Sequence, residues 1–89
     1  MKSYLYIIQS LRNGSYYVGS TMNLKSRIRF HNSGRVKATK YKGPYKLVFC
    51  QPFDKIELAR KAELKIKHWK RKDFIEKIIR DKKLKSLGL

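Results

Sequence analysis

The side chains of this 89-residue chain that could carry chemistry are its tyrosines and arginines, two histidines and six carboxylates. The sequence contains no CxxC or HExxH motif, no glycine-rich phosphate loop and no serine in an elbow context. Two histidines far apart in sequence, His31 and His68, are too few to suggest a zinc site. Any reaction must therefore use phenol, guanidinium, imidazole and a scarce carboxylate. A phenol has an ordinary pKa near 10, so it acts as a base only beside positive charge.

Four of these side chains occur at spacings that could bring them together. Tyr6 and Tyr17 lie eleven residues apart, Arg27 follows ten residues later, and His31 follows Arg27 by four. Because residues four apart are neighbours on a helix surface, the head groups of Arg27 and His31 can meet in one place. The elements around these residues must then bring them to the two tyrosines.

The segment that holds both tyrosines predicts a β-hairpin. Residues 3–10 alternate with apolar side chains on both faces, which predicts a central strand. Asn13-Gly14 is a strong short-range hairpin signal because both turn positions tolerate positive φ. Residues 16–19 form the second strand, so the pairing is expected to place Tyr6 and Tyr17 near each other.

Two further elements precede the C-terminal half. A helix is expected from about Asn23 to Asn32, with Asn23 or Thr21 as its cap and Gly34 just past its end. Residues 33–45 contain glycines, a proline and several basic residues, which predicts a basic loop. Residues 46–53 predict a third strand that Pro52 limits. Cys50 lies in an apolar run of this strand and is expected to be a buried small residue.

The C-terminal half predicts two helices. Residues 54–57 have the form of a capping box that opens a helix to about His68, and residues 73–76 repeat the pattern before a last helix. The expected core stripe of the first of these is Ile56, Ala59, Ala62 or Glu63, Ile66 and Trp69; that of the last is Phe74, Ile75, Ile78 and Ile79. The final eight residues, 82–89, are expected to fray. The element order ββαβαα predicts a single α/β (α+β) domain over residues 1–89, with a three-stranded, largely antiparallel sheet flanked by helices.

The charge of the chain favours a polyanionic partner. Lys and Arg number 23 against six acids, which gives a net charge of +17. Residues 1–53 carry ten basic residues and no acid. Nucleic acid is the leading interpretation, ahead of an anionic membrane surface, which would require a strongly amphipathic helix. No apolar run approaches the roughly 20 residues of a membrane span, and the N-terminus does not have the form of a signal peptide, so a cytoplasmic protein is expected.

The motifs that carry these residues resemble a known family. YLYIIQ, followed by YVGST, resembles the paired motif that names the GIY-YIG nuclease family. Arg27 falls where that family carries its arginine, and NLKSRIRFHNSG looks like its first helix. ELARKAELKIK resembles its second conserved element. The resemblance spans Tyr4 to about Lys72, so residues 73–89 form a C-terminal helix and tail beyond it. It is strongest to small stand-alone bacterial members related to the N-terminal nuclease domain of a bacterial excinuclease.

The resemblance implies a divalent-metal-dependent endonuclease that hydrolyses DNA phosphodiester bonds. It implies catalytic roles for Tyr6, Tyr17, Arg27, His31 and Glu63, with Glu63 also holding Mg²⁺ or Mn²⁺. Arg27 would hold the scissile phosphate, and His31 would accept the tyrosine proton or hold its hydroxyl. Tyr6 is the favoured base and Tyr17 the positioning group, although the two roles can be exchanged. A further set of residues is expected to contact DNA: Thr21, Arg35, Lys37, Lys40 and Lys42.

Other interpretations remain open at this point. RNA would satisfy the charge as well as DNA does, and a protein partner that targets the nuclease is compatible with the sequence. The chain departs from the family pattern at Tyr4, which replaces the naming glycine, and in having no asparagine after Asn32. The second departure favours the alternative of a non-catalytic nucleic-acid-binding module on the same fold. Each residue also has an ordinary structural role available, such as an ion pair between Glu63 and Lys67. A small ribosome-associated protein is a third possibility, and the oligomeric state is open.

Overall fold

The computed structural model describes residues 2–69 and 71–82, which form three strands and three helices. The elements are β1 (Ser3–Ser10), β2 (Tyr16–Thr21), α1 (Leu24–Asn32), a short 3₁₀ turn (Lys37–Thr39), β3 (Tyr45–Phe53), α2 (Ile56–Trp69) and α3 (Lys72–Asp81). This confirms the predicted order ββαβαα and the α+β class. The frayed tail expected from residue 82 lies almost wholly outside the described residues. No helix among the described residues is long and apolar enough to cross a membrane.

The sheet has the strand order β2-β1-β3 and is antiparallel throughout. β1 is the central strand, as its apolar residues on both faces predict. Tyr6 pairs with Gly19 and Ile8 pairs with Tyr17, so both tyrosines project from the same face of the sheet. A bulge between Ile7 and Ile8 interrupts the pairing of β1 with β3.

The hairpin is confirmed, but its turn differs from the predicted one. Residues 11–14 form a four-residue loop closed by hydrogen bonds between Ser10 and Ser15 and from the Gly14 amide to the Ser10 carbonyl. Gly14 has a φ of 78°, whereas Asn13 is not in the left-handed region. The Asn13 side chain instead accepts hydrogen bonds from the amide and hydroxyl of Ser15. Asn13 therefore stabilises the turn through its side chain rather than through positive φ.

The main core lies between one face of the sheet and helices α2 and α3. It consists of Leu5, Ile7, Val18, Phe49, Ala62, Ile66 and Ile78, with Trp69, Ile75 and Ile79 packed against it. The predicted stripes on both helices are thereby confirmed in their central residues. Glu63 is not part of the core, because Ala62 takes that position.

The opposite face carries a smaller buried layer beneath α1. Tyr6, Ile8 and Tyr45 are buried there, together with His31 and Thr39. The prediction that Cys50 is buried is wrong, because its side chain is exposed. Side chains alternate along a strand, so Phe49 takes the core side of β3 and Cys50 projects from the other face of this edge strand.

Neither predicted capping box forms as expected. α2 begins at Ile56, and the Asp54 carboxylate accepts a hydrogen bond from Lys2 at 2.6 Å rather than from the first turn of the helix. α3 begins at Lys72, one residue before the predicted cap, and Asp73 pairs with Arg71 at 2.7 Å. In both cases a nearby cation competes with the helix amides for the carboxylate. α1 is capped by Asn23, whose side chain accepts from the Ser26 amide at 3.0 Å, as one of the two predicted alternatives.

The basic segment between α1 and β3 is tied to the sheet by hydrogen bonds. The Asn32 amide side chain accepts from the Tyr45 amide at 2.7 Å and donates to the Tyr45 carbonyl at 3.3 Å. The Ser10 hydroxyl donates to the Lys42 carbonyl at 2.6 Å, and Arg12 donates to the Tyr41 carbonyl at 3.1 Å. The segment therefore contains a 3₁₀ turn and defined contacts to the sheet, where the sequence predicts only a basic loop.

We expect Asn32→Ala to lower the free energy of unfolding by about 1–3 kcal/mol, because it leaves both main-chain groups of Tyr45 without their side-chain partner. Asn32→Asp keeps the acceptor for the Tyr45 amide, so its free energy of unfolding should fall by less. Urea denaturation of the two variants and the wild type measures the difference. Equal stability of Asn32→Ala and the wild type would show that the contact does not hold the segment.

Candidate active site

A chain of three buried side chains forms the centre of the candidate site. His31 is 1% exposed, and its Nε2 lies 2.8 Å from the Tyr6 hydroxyl while its Nδ1 lies 2.8 Å from the Thr39 hydroxyl. The Thr39 hydroxyl donates to the Val36 carbonyl at 3.3 Å, so its oxygen accepts the proton on Nδ1. Nε2 is then unprotonated and accepts from Tyr6. The imidazole is thus oriented as a proton acceptor for one phenol.

The environment keeps this histidine neutral. Burial, and then the positive charge of Arg27, lower the pKa of His31 from 6.5 to about 4. Burial also raises the pKa of Tyr6, while the Arg27 guanidinium acts in the opposite direction. At neutral pH the pair is therefore a protonated phenol donating to a neutral imidazole. Loss of the Tyr6 proton requires more positive charge than the protein alone provides.

Tyr17 lies against the same imidazole from the neighbouring strand. Its ring centroid is 4.7 Å from that of His31 and 6.5 Å from that of Tyr6. Tyr17 is half-buried, whereas only 1% of Tyr6 is exposed. The Lys67 ammonium lies 5.1 Å from the centroid of the Tyr17 ring. Tyr17 is therefore the more accessible of the two phenols.

Gly19 provides the space that Tyr6 occupies. A Cβ atom at position 19 would overlap the hydroxyl and ring carbons of Tyr6, which pairs with it across the strands. Gly19 does not have positive φ. Glycine is needed here because it has no side chain where the Tyr6 ring lies, and not because of an unusual backbone conformation.

Arg27 brings a positive charge to the two phenols. Its own pKa is raised by interaction with the Tyr6 hydroxyl first, and Tyr17 also contributes. Arg27 is half-buried and lines a shallow depression with Thr21 and Arg60. Its position one turn before His31 on α1 brings both head groups to the tyrosines, as the spacing predicts.

Glu63 reaches the site from α2, on the other face of the sheet. Its side chain is 18% exposed. One carboxylate oxygen accepts from the Ser20 hydroxyl and the other from Lys67 at 2.6 Å. Its negative charge makes the smallest of the contributions that raise the pKa of Tyr6, after burial and Tyr17. The pair with Lys67 that the sequence allows is therefore present within the candidate site.

The donor set around Glu63 suits a hard divalent cation. The described residues contain no group of three or more histidine, cysteine or acidic side chains that could hold a metal. Mg²⁺ is commonly held by one or two carboxylates, several waters and a substrate phosphate, so the single carboxylate of Glu63 is a sufficient protein ligand. Binding there requires Lys67, whose side chain is 44% exposed, to release one oxygen.

The residues predicted to contact DNA are placed unevenly around this cluster. Arg35, Lys37, Lys40 and Lys42 are exposed. Arg35 and Lys40 lie over the rings of Phe30 and Tyr41, at 5.7 and 5.1 Å from the ring centroids. Thr21 lies in the depression beside Arg27, where its hydroxyl bonds the main chain of Asn23. The basic segment borders the candidate site through Thr39, whose hydroxyl contacts His31.

Sequence reasoning missed three contributors to the site. The alternation of β2 places Ser20 on the side of α2, which could have indicated its contact with Glu63. The four-residue spacing did show that Lys67 can pair with Glu63, but not that it lies over Tyr17. Nothing in the sequence indicates Thr39, because its contact with His31 depends on the course of an irregular segment.

We expect the free energy of unfolding to fall as the pH is lowered from about 6.5 to about 4. The pKa of His31 is depressed on folding, so the unfolded chain binds this proton more readily, and stability is lost as the pH falls through that interval. The full effect is on the order of 3 kcal/mol. Denaturation of the wild type and of His31→Gln at several pH values isolates the contribution, because the carboxylates titrate in both. Parallel stability curves for the two proteins would contradict the prediction.

Comparison with known proteins identifies the family. The family model described as the GIY-YIG catalytic domain matches residues 2–78. A UPF0213 protein of Streptococcus pneumoniae serotype 4 is 41% identical over 71 residues, which is 79% of this chain and 71% of that protein. UPF0213 protein BH0048 of Halalkalibacterium halodurans is 37% identical over 73 residues, or 81% of this chain and 77% of the relative.

The fold agrees with a solved structure as well. The solution structure of UPF0213 protein BH0048 from Bacillus halodurans has a TM-score of 0.59 and 34% identity, and the match covers 92% of this chain and 86% of that one. The paired tyrosine motif, the arginine and the glutamate all lie within the part of the chain that the family model matches. The chain therefore belongs to the GIY-YIG family of catalytic domains.

Proposed function

We propose that this protein is a divalent-metal-dependent endonuclease that hydrolyses DNA phosphodiester bonds. The observation that carries the proposal is the buried hydrogen bond from Tyr6 to a neutral His31, with Arg27 beside the same phenol. A structural tyrosine–histidine contact would not require a guanidinium at the hydroxyl. Together the three groups provide a proton acceptor and a phosphate-binding cation at one point.

Phosphodiester hydrolysis needs a deprotonated water, charge stabilisation on the phosphate and a neutralised leaving oxygen. Arg27 offers a planar pair of donors to the phosphate oxygens, which suits a guanidinium better than an ammonium. Tyr6 is the proposed base, because its proton already lies on a hydrogen bond to Nε2 of His31. Tyr17, which is more exposed, positions the phosphate or the water.

Glu63 is the proposed ligand of Mg²⁺ or Mn²⁺. A bound divalent cation would add Lewis acidity and positive charge at the phosphate. The Ser20 hydroxyl donates to one carboxylate oxygen and holds the group at the edge strand β2. Lys67, once released from the other oxygen, is free to contact a phosphate.

Cleavage is proposed to follow DNA structure rather than sequence, in repair or recombination. The basic residues around the site are long, exposed cations such as Lys37 and Lys40. Contacts of this kind bind phosphates and carry no direct information about bases.

A second candidate is a nucleic-acid-binding module without catalysis. One observation favours it: both oxygens of Glu63 already have partners within the protein. In that case Lys67 would hold the carboxylate permanently, and the basic surface would bind DNA by charge and shape alone.

We expect the purified protein to cut supercoiled plasmid or flapped DNA with Mg²⁺ or Mn²⁺ and to be inactive with a chelator. Arg27→Ala and Glu63→Gln should each lower the cleavage rate by about 100-fold or more, since each removes a group that acts on the phosphate. Arg29→Ala and Glu57→Gln, exposed positions on the same two helices, serve as matched controls and should retain activity. Cleavage that survives in both site variants, or none in the wild type, would reject the nuclease. Unchanged DNA affinity without cleavage would support the second candidate.

We expect Tyr6→Phe to lower the single-turnover rate by about 100-fold or more, because it removes the proton that His31 accepts. Tyr17→Phe, which keeps that pair intact, should lose less rate and more substrate affinity. Single-turnover rates measured over a range of DNA concentrations separate the two effects. The reverse ranking would assign the base to Tyr17.

A further inference from the structure

A groove lies along the free edge of β2, next to the candidate site but outside the Tyr6–His31 pair. It has a volume of about 680 Å³ and is lined by Tyr16 and Tyr17 from β2, Ile66 and Lys67 from α2, and Lys72 and Ile75 from α3. Within the described part of the chain, β2 pairs only with β1, so this edge of the sheet has no strand on its outer side. The groove shares Tyr17 and Lys67 with the catalytic cluster.

The walls of the groove combine two kinds of contact. Tyr16 is half-buried against the core, and Ile66 and Ile75 add apolar surface. The Lys67 ammonium lies 5.1 Å from the Tyr17 ring centroid, and the Lys72 ammonium lies 6.0 Å from that of Tyr16. Each aromatic ring therefore has a flexible cation over one face, and a base that stacks there would displace the ammonium towards its own phosphate. Flat apolar surface next to positive charge complements a nucleobase joined to its phosphate.

We propose that this groove binds one or two unpaired nucleotides of a DNA strand, next to the phosphate held by Arg27. This inference rests on the proposed nuclease function and names the feature of the substrate that the site selects. The volume lies within the range of about 300–1,000 Å³ that holds small organic ligands, which suits one or two nucleotides. The charge of +17 favours this occupant over a protein strand paired to the edge of β2.

The groove discriminates between unpaired and paired nucleotides. In a duplex the flat faces of the bases are stacked on their neighbours, so they cannot reach the tyrosine and isoleucine side chains. An overhang or flap offers those faces freely, and stacking on an aromatic side chain contributes about 1–3 kcal/mol per base. The position beside Tyr17 then places the first unpaired nucleotide next to the phosphate to be cut.

Binding of labelled DNA in the presence of a chelator tests the proposal without cleavage. A blunt duplex, a duplex with a short single-stranded overhang and an RNA overhang of the same sequence are titrated by fluorescence anisotropy. The wild type should bind the DNA overhang more tightly than the blunt duplex. Tyr16→Leu should weaken overhang binding by about 10-fold and leave duplex binding unchanged. Lys72→Met should weaken overhang binding. It should also reduce the slope of log affinity against log salt concentration by about one, as expected for the loss of one phosphate contact.

Two exposed positions away from the groove provide controls: Tyr41→Leu, where the tyrosine is 80% exposed, and Lys46→Met. Neither should change the preference for an overhang. Because Tyr16 contacts the core, its variant is first compared with the wild type by thermal unfolding; Lys72 is exposed and tests the groove independently. Equal wild-type affinity for the two DNA forms, or variants that weaken both alike, would overturn the proposal. Tighter binding of the RNA overhang would overturn the assignment to DNA.

The two hypotheses fail separately. A preference for overhangs without cleavage in Mg²⁺ or Mn²⁺ would reject the nuclease and keep the groove as a binding site. Cleavage that does not depend on Tyr16 or Lys72, with no preference for an overhang, would keep the nuclease and reject the groove.

Discussion

A buried imidazole, held neutral between two hydroxyl groups, is the interaction on which the site depends. The three side chains of this hydrogen-bonded chain come from different parts of the fold. Tyr6 lies on the central strand, His31 on the last turn of α1 and Thr39 on the following 3₁₀ turn. The tautomer of His31 follows from Thr39, whose hydroxyl proton is directed to a main-chain carbonyl. A residue of an irregular segment therefore decides that the nitrogen facing the phenol is unprotonated. The same segment is held to the sheet by hydrogen bonds from Asn32 and Ser10.

The site lies where the two faces of a small sheet meet. The phenols and α1 occupy one face, whereas Glu63 projects from α2 on the other. β2 is an edge strand, so Lys67 of α2 reaches around it to the Tyr17 ring. Ser20 marks the junction, since it lies on the α2 side of the strand next to Gly19 on the phenol side.

The sequence predicted the features that depend on local pattern. Alternation identified the central strand, Asn13-Gly14 located the hairpin, and helical spacing joined Arg27 to His31. It failed where another side chain competes for a residue whose local pattern predicts a different partner. Asp54 and Asp73 have the spacing of capping residues, yet each pairs with a cation, and only the fold brings Lys2 to Asp54.

The sequence pattern also failed to predict which side chains are buried at the sheet edge. An apolar run around Cys50 predicts burial, but the alternation of β3 and its edge position leave this side chain exposed. Thr39 shows the same limit within the site, since no periodicity governs an irregular segment. Tyr6, Tyr17 and His31 come together because they rest on β1, β2 and α1, whose local patterns are strong.

The space above Gly19 couples two positions of the chain that are usually considered separately. Any side chain at position 19 would overlap the Tyr6 hydroxyl, so a larger residue there is compatible only with a smaller residue at position 6. Such a compensating pair would lack the phenol. Positions 6 and 19 are therefore expected to covary among relatives, and no single substitution at position 19 leaves the phenol in place. The tyrosine of the first motif and the glycine of the second, which both appear in the family's name, express one steric constraint.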